Sequence, residues 1–209
     1  ILDTYIKDND EKIQLFRSIE TNECVKKKAQ WALKYFSPRM SFQERLIGFC
    51  AVECIQFSGS FAAIFWMRKR GILKGLAQMN SYISRDEGLH VQFAAHVYRY
   101  HIVNKLPIDK IHDIIKSAVE VELAFFESGL STRMIGMNFE MMRQYVYYVA
   151  DYLLGMLGLE PYYCVSNPFP FMDLISIESK SNFFEVRNTE YSKTGTGSAN
   201  HNFDLDDEF

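Results

Sequence analysis

Two carboxylates and one imidazole are placed where they could do chemistry together. Glu53 interrupts the apolar run Phe49-Cys50-Ala51-Val52, at a position where helical periodicity points into a core. A carboxylate there is costly to bury unless a cation or a proton accompanies it, so Glu53 asks for a partner. Further on, Ser84-Arg85-Asp86-Glu87-Gly88-Leu89-His90 sets Glu87 and His90 at i and i+3, on one face of a helix. Glu-x-x-His arises often by chance, and alone it reads as a surface carboxylate–imidazole pair. A lone core Glu on a neighbouring helix shifts the balance toward a metal, because carboxylate oxygens and an imidazole nitrogen suit iron or manganese.

A competing spacing, Asp109-Lys110-Ile111-His112, follows Pro107 at an expected helix start. Asp109 is better explained there by the positive end of the helix dipole and is read as structural. His96 and His101 fall near the exposed end of a helix and His201 in a polar stretch, so none of the three is taken as a ligand. Gly88 inside a helix costs about 1 kcal/mol relative to Ala, which a close approach of another helix or of a metal ligand would explain as readily as simple tolerance.

The elements that must hold these residues are helices. The chain has 209 residues, 48% of them hydrophobic, and only 5 prolines and 11 glycines, which fall between long stretches with apolar residues three and four apart. The first helix spans Glu20 to Phe36, its face built from Val25, Ala29, Trp31, Ala32, Tyr35 and Phe36, with Lys26, Lys27 and Lys28 off it. Ser41 and Glu44 form a capping box for a helix running to about Arg70, whose middle is apolar all round apart from Glu53 and Gln56 and therefore central in its bundle. Gly71 ends it. Three more helices are expected over Leu73–Tyr100, Asp109–Glu127 and Met137–Leu157, with Gly158 as C-cap and short connections making them antiparallel neighbours.

The formal net charge of −3 gives no reason to expect a nucleic-acid partner. The longest uncharged run, Cys54 to Met67, is too short to span a bilayer, so no membrane role is expected. Cys24, Cys50, Cys54 and Cys164 have neither zinc-finger nor CxxC spacing and read as reduced core residues of a cytoplasmic protein. Beyond Pro161 the character changes. Residues 192–201 read as a flexible linker, and the last eight present Phe203, Leu205 and Phe209 among Asp204, Asp206, Asp207 and Glu208, a pattern that fits a tethered recognition peptide and, on composition alone, an ordinary frayed tail equally well. Residues 1–165 form the bundle in this reading, 166–190 a docking segment and 191–209 a tail with a partner-binding tip.

Several segments together resemble the small, radical-bearing subunit of class I ribonucleotide reductase, of eukaryotic type: Val52-Glu-Cys-Ile-Gln-Phe-Ser-Gly-Ser-Phe-Ala-Ala-Ile-Phe-Trp66, Ile83-Ser-Arg-Asp-Glu-Gly-Leu-His90, Met134-Ile-Gly-Met-Asn138, Asn167-Pro-Phe169 and Asn182-Phe-Phe-Glu185. The resemblance covers essentially the whole chain. It implies an all-α, ferritin-like helical bundle, here partial, in which Glu53, Glu87 and His90 bind one iron of an oxo-bridged pair, manganese being the alternative metal. It further implies that Phe57 and Phe61 line a dry pocket around the radical, that Asp86 lies on the radical-transfer route, and that Tyr191 passes the radical to the large subunit. In the family the metal pair reacts with dioxygen and oxidises a tyrosine, and the large subunit uses the radical to reduce ribonucleoside diphosphates. The implied partners are that large subunit, reached by Phe203, Leu205 and Phe209, and a second copy of the chain.

The departures also carry expectations. The family's other ligands, an Asp and a Glu-x-x-His, and its radical tyrosine precede the stretch matching Ile1 to Asp8, so the chain is expected to be a fragment that starts mid-helix and is inactive alone. Cys54 and Gln56 stand for a usual glycine and phenylalanine, and Ser179 and Val186 for a glycine and a lysine. The alternative function is that of a catalytically silent ferritin-like paralogue regulating reductase assembly.

Overall fold

The computed structural model describes residues 2–130 and 134–172. Tyr191, Phe203, Leu205, Phe209, the segment Asn182–Glu185 and the substitutions Ser179 and Val186 lie outside the described residues. Three short helices, α1 (Leu2–Tyr5), α2 (Asn9–Phe16) and α3 (Ser18–Thr21), come first, and α2 and α3 bury no residue. α1 and α2 lie in a stretch for which the apolar spacing predicts no helix, and α3 overlaps the expected helix start at Glu20. α4 (Glu23–Phe36) starts later than its periodicity predicts, because the Asn22 side chain accepts hydrogen bonds from the N–H groups of Cys24 and Val25.

The capping box is present at the next helix: Glu44 N–H donates to Ser41 Oγ at 3.2 Å, and Ser41 N–H donates to Glu44 Oε2 at 2.8 Å. The rod beyond it is not one regular helix. It runs as α5 (Phe42–Ala51), a π-helical turn (Val52–Gln56) and α6 (Phe57–Lys69), and Gly71, at φ +72°, closes it. By length and composition this rod could cross a membrane, but 56% of its most apolar window is buried, because α7, α8 and α9 all pack on it.

α7 (Lys74–His101), α8 (Ile108–Gly129) and α9 (Phe139–Leu157) come next, near their expected bounds. Asn138 caps the start of α9 and Gly158, at φ +79°, ends it. The expectation that consecutive helices are all neighbours fails at one step. α7 packs on α5, α6 and α9 while α8 packs on α4, α5 and α9, so the central rod and α9 occupy the space between them.

The core is one cluster from α4 to α9, including Ile47, Ile55, Ile115, Met142, Val146 and Leu153, and it extends beyond the helices to Met137 and Phe169. Two motifs outside the metal chemistry are staples of this core. In Met134-Ile-Gly-Met-Asn138 a bridge between Met134 and Met137 seats Met137 inside, and Trp66 Nε1 donates to the Ile135 carbonyl at 3.2 Å. In Asn167-Pro-Phe169 the Asn167 side chain accepts from Phe169 N–H, and the phenyl ring packs fully buried against Tyr145. Of the four cysteines only Cys50 is fully buried; Cys164 is exposed, which corrects the reading of all four as core residues, while all are free thiols. Cys164 sits at φ +55° because Asp151 accepts the N–H groups of Tyr162, Tyr163 and Cys164 in succession and bends the backbone around its carboxylate.

Candidate metal centre

The π turn and the middle of α7 place the first ligand set. A π turn carries one more residue per turn than its α neighbours and rotates the helix before it against the helix after it. Glu53 lies within it, and α7 packs against the turn, bringing Glu87 and His90 opposite. His90 Nδ1 lies 3.0 Å from Glu87 Oε2 and 3.4 Å from Glu53 Oε2. One ligand atom from each residue falls within 4.8 Å of the others, the one such group of three among the described residues.

These separations fit a shared ion. Two ligand atoms at right angles, each about 2.1 Å from a small divalent cation, are about 3 Å apart. Both carboxylates are largely screened, with Glu53 14% and Glu87 18% exposed, whereas His90 is 54% exposed, so the group is open on the His90 side. Glu53 is therefore largely screened from water, and the partner its position asks for is the imidazole of His90. A depression on that open side is lined by Ile83, Asp86, Glu87, Leu89 and His90. Asp86 is exposed within it.

Phe57 and Phe61 follow Glu53 at four-residue intervals and meet edge to face, with ring centroids 6.2 Å apart; Phe57 is 36% exposed and Phe61 half-buried. Asp109 sits in the first turn of α8, as its position after Pro107 predicts, and His112 packs against the Tyr162 ring. His96 and His101 are exposed, with rings 5.6 Å apart. Gly88 has nothing within 4 Å of a would-be Cβ, so no described residue makes the close approach that could explain it. Cys54 turns its sulfur toward the Val149 carbonyl on α9, and burial pushes its thiol pKa up. Gln56 is buried, and its Nε2 finds no hydrogen-bond partner among the described residues.

The sequence reading missed a second carboxylate. Glu122 on α8 is fully buried, its Oε2 2.6 Å from Lys28 Nζ on α4, so Lys28 does not lie off the packed face as its place in a lysine run suggests. Burial raises the Glu122 pKa to about 7 against the pull of Lys28. The same ammonium donates to the backbone carbonyl of Gln56, the last residue of the π turn, at 2.6 Å. A signal was available: Ile111, Ile114, Ile115, Ala118, Val119, Glu122 and Phe126 share one helical stripe, in which Glu122 is the anomaly.

An all-helical bundle in which a Glu-x-x-His pair faces a lone Glu across two elements belongs to the carboxylate-rich, metal-binding bundles. The model of the family "Ribonucleotide reductase, small chain" matches residues 1–168. The ribonucleoside-diphosphate reductase small chain of Trypanosoma brucei brucei is 49% identical over 212 residues, covering 100% of this chain and 63% of that one. Its counterpart in Nicotiana tabacum is 47% identical over 215 residues, covering 100% of this chain and 65% of that one. Among solved structures, the ribonucleotide reductase Rnr4 homodimer of Saccharomyces cerevisiae superposes with a TM-score of 0.72 at 33% identity, over 86% of this chain and 58% of that one. The chain belongs to the ribonucleotide reductase small-chain family, with its ferritin-like helical fold, and spans less than two thirds of the length of these relatives.

Proposed function

We propose that the chain is the portion of a ribonucleoside-diphosphate reductase small subunit that carries one half of a two-metal site and the exit route for the radical. The observation that supports this most strongly is the convergence of Glu53, Glu87 and His90 on a space the size of one ion, in a chain of this family. Iron is the proposed metal, and when bound it supplies the one-electron chemistry with dioxygen that oxidises a tyrosine of the complete protein.

The chain's own residues have distinct tasks in this reading. Glu53 and Glu87 supply negative charge, and His90 offers Nδ1, whose contact with Glu87 gives way as the ion enters. Phe57 and Phe61 keep water from the radical side. Asp86, beside both ligands of α7, takes part in radical transfer, and Tyr191 hands the radical on. The large catalytic subunit is the proposed partner, bound through Phe203, Leu205 and Phe209, with a second copy of the chain as the other; the cytoplasm is the proposed location.

Metal uptake tests this. In the complete protein, Glu87→Ala should lower iron retention more than about 100-fold, whereas Asp109→Ala should leave it unchanged. Equal iron content in the two variants would sink the assignment. The 209-residue chain, loaded with iron and oxygenated, should give no stable tyrosyl radical in electron paramagnetic resonance. A peptide of residues 202–209 should compete with the small subunit for the large one, and Phe209→Ala should weaken that competition far more than Asp206→Asn.

A further inference from the structure

The Lys28 ammonium on α4 reaches both the π turn and α8, beside a second α4–α8 link in which Trp31 Nε1 donates to Ser117 Oγ at 3.0 Å. The ammonium lies 2.6 Å from the Gln56 carbonyl at the end of the π turn, 2.6 Å from Glu122 Oε2 on α8, and 4.5 Å from the centre of the Phe125 ring. Its side chain is 17% exposed and that of Glu122 0%. Glu122 gets this close because residue 59 is glycine: a Cβ there would stand 2.9 Å from Glu122 Oε1 and 2.2 Å from Phe126 Cε2.

A buried ion pair is a poor way to gain stability, since well-packed apolar side chains of similar volume do as well or better. Its use here needs a positional reason, and the Gln56 carbonyl supplies one. Widening a helix into a π turn disturbs the regular ladder of backbone acceptors, and a charged donor on the terminal carbonyl favours the widened form. Glu53 is three residues upstream, in the same turn.

We propose that Lys28 is a positioning residue for the metal site: it clamps the π turn through the Gln56 carbonyl and so fixes where Glu53 presents its carboxylate, while Glu122 holds Lys28 in place. This rests on the reading of Glu53 as a metal ligand. Neither Lys28 nor Glu122 touches the metal; both act through the backbone.

The test uses the full-length protein, hydrogen–deuterium exchange over residues 52–57, and Mn(II) affinity followed by the resonance signal of the free ion. Lys28→Met should speed exchange in that segment by about tenfold or more, the loss expected for a hydrogen bond from a charged donor, and lower Mn(II) affinity by about tenfold. Glu122→Gln, which leaves Lys28 a neutral acceptor, should change both by less than about threefold. The double variant Lys28→Met/Glu122→Leu removes the stranded carboxylate, so its melting temperature should recover while exchange stays fast and affinity low. A double variant with wild-type exchange and affinity would overturn the clamp and leave the pair a packing element. Wild-type protein that takes up no Mn(II) would instead overturn the metal-site reading beneath it.

Discussion

Two places in this molecule bring a nitrogen cation or base to a carboxylate, and they are built in opposite ways. Under the π turn, Glu122 is sealed by apolar side chains and answered by one ammonium at 2.6 Å. On the α7 side, Glu53 and Glu87 gather around a His90 that is 54% exposed, with no Lys or Arg ion pair to either acid among the described residues. The first arrangement matches one acid with one base and is closed to solvent. The second holds two acids against one base and is open on one side, which suits a ligand with more than one positive charge. Burial alone therefore does not mark the chemical site; unneutralised carboxylates with an open approach do.

The largest effect that would break this contrast is expected at Gly59. Gly59→Ala drives a methyl group against the buried Phe126 ring and toward Glu122, and should cost about 3 kcal/mol in chemical denaturation. An unchanged midpoint would show that the enclosed pair is more loosely packed than it stands here.

Next in size is a pH effect of defined sign. The Glu122 pKa stands at about 7 in the folded chain against 4.5 for the ordinary carboxyl, so the folded state holds a proton that the unfolded state has released. Its contribution to stability is fully present below about pH 4.5 and is lost as pH rises through 7, with a steepest slope of about 1.4 kcal/mol per pH unit. Glu122→Gln should flatten the decline in melting temperature between about pH 5 and pH 8. Glu44 runs the other way: hydrogen bonds from Lys110 and then Ser41 hold its pKa near 2, so its contribution is present above pH 4.5 and lost as pH falls toward 2. A Glu122→Gln variant with the wild-type pH profile would show that this carboxyl does not titrate in the window.

How much of this could be read beforehand depends on the kind of signal. The long helices, the Ser41–Glu44 capping box and the Gly158 cap were legible, because each rests on interactions within a few residues. Glu53, Glu87 and His90 were legible as a group because a helix fixes the i, i+3 relation and the apolar run made Glu53 an anomaly. The π turn was not. One extra residue within a segment that is apolar all round leaves the hydrophobic pattern intact, so periodicity cannot register it. Lys28 was hidden by its neighbours: Lys26, Lys27 and Lys28 read as a solvated face, and only the approach of α8 separates the last of them from water. That α7 and α8 are consecutive yet stand apart, with the central rod and α9 between them, is likewise a property of the whole bundle, invisible in the short connection between them.

A smaller effect sharpens the account of the enclosed side. The Gln56 side-chain amide is buried beside the clamp with an Nε2 that donates to no described residue. Gln56→Met keeps the length of the side chain and removes that donor, so it should raise stability by about 1 kcal/mol without altering the backbone carbonyl that receives Lys28. A loss of stability would mean that the amide is satisfied and contributes to the enclosed site.

The smallest effect tests the open side, and its sign carries the information. Gly88 lies between Glu87 and His90 in the middle of α7, where a helix loses about 1 kcal/mol relative to alanine, and nothing described stands within 4 Å of its would-be Cβ. In the 209-residue chain Gly88→Ala should therefore stabilise by somewhat under about 1 kcal/mol, measured by thermal or urea unfolding. In the complete small subunit proposed here, further helices would cover α7, whose exposed Met79, Ile83, Leu89 and Phe93 lie away from the Gly88 side, and a helix on the Gly88 side would account for the glycine. There the added methyl group would meet a packed neighbour and the change should be neutral or destabilising. A gain of the same size in both would mean that the Gly88 side of α7 stays uncovered in the complete protein, and that the glycine serves neither packing nor the site.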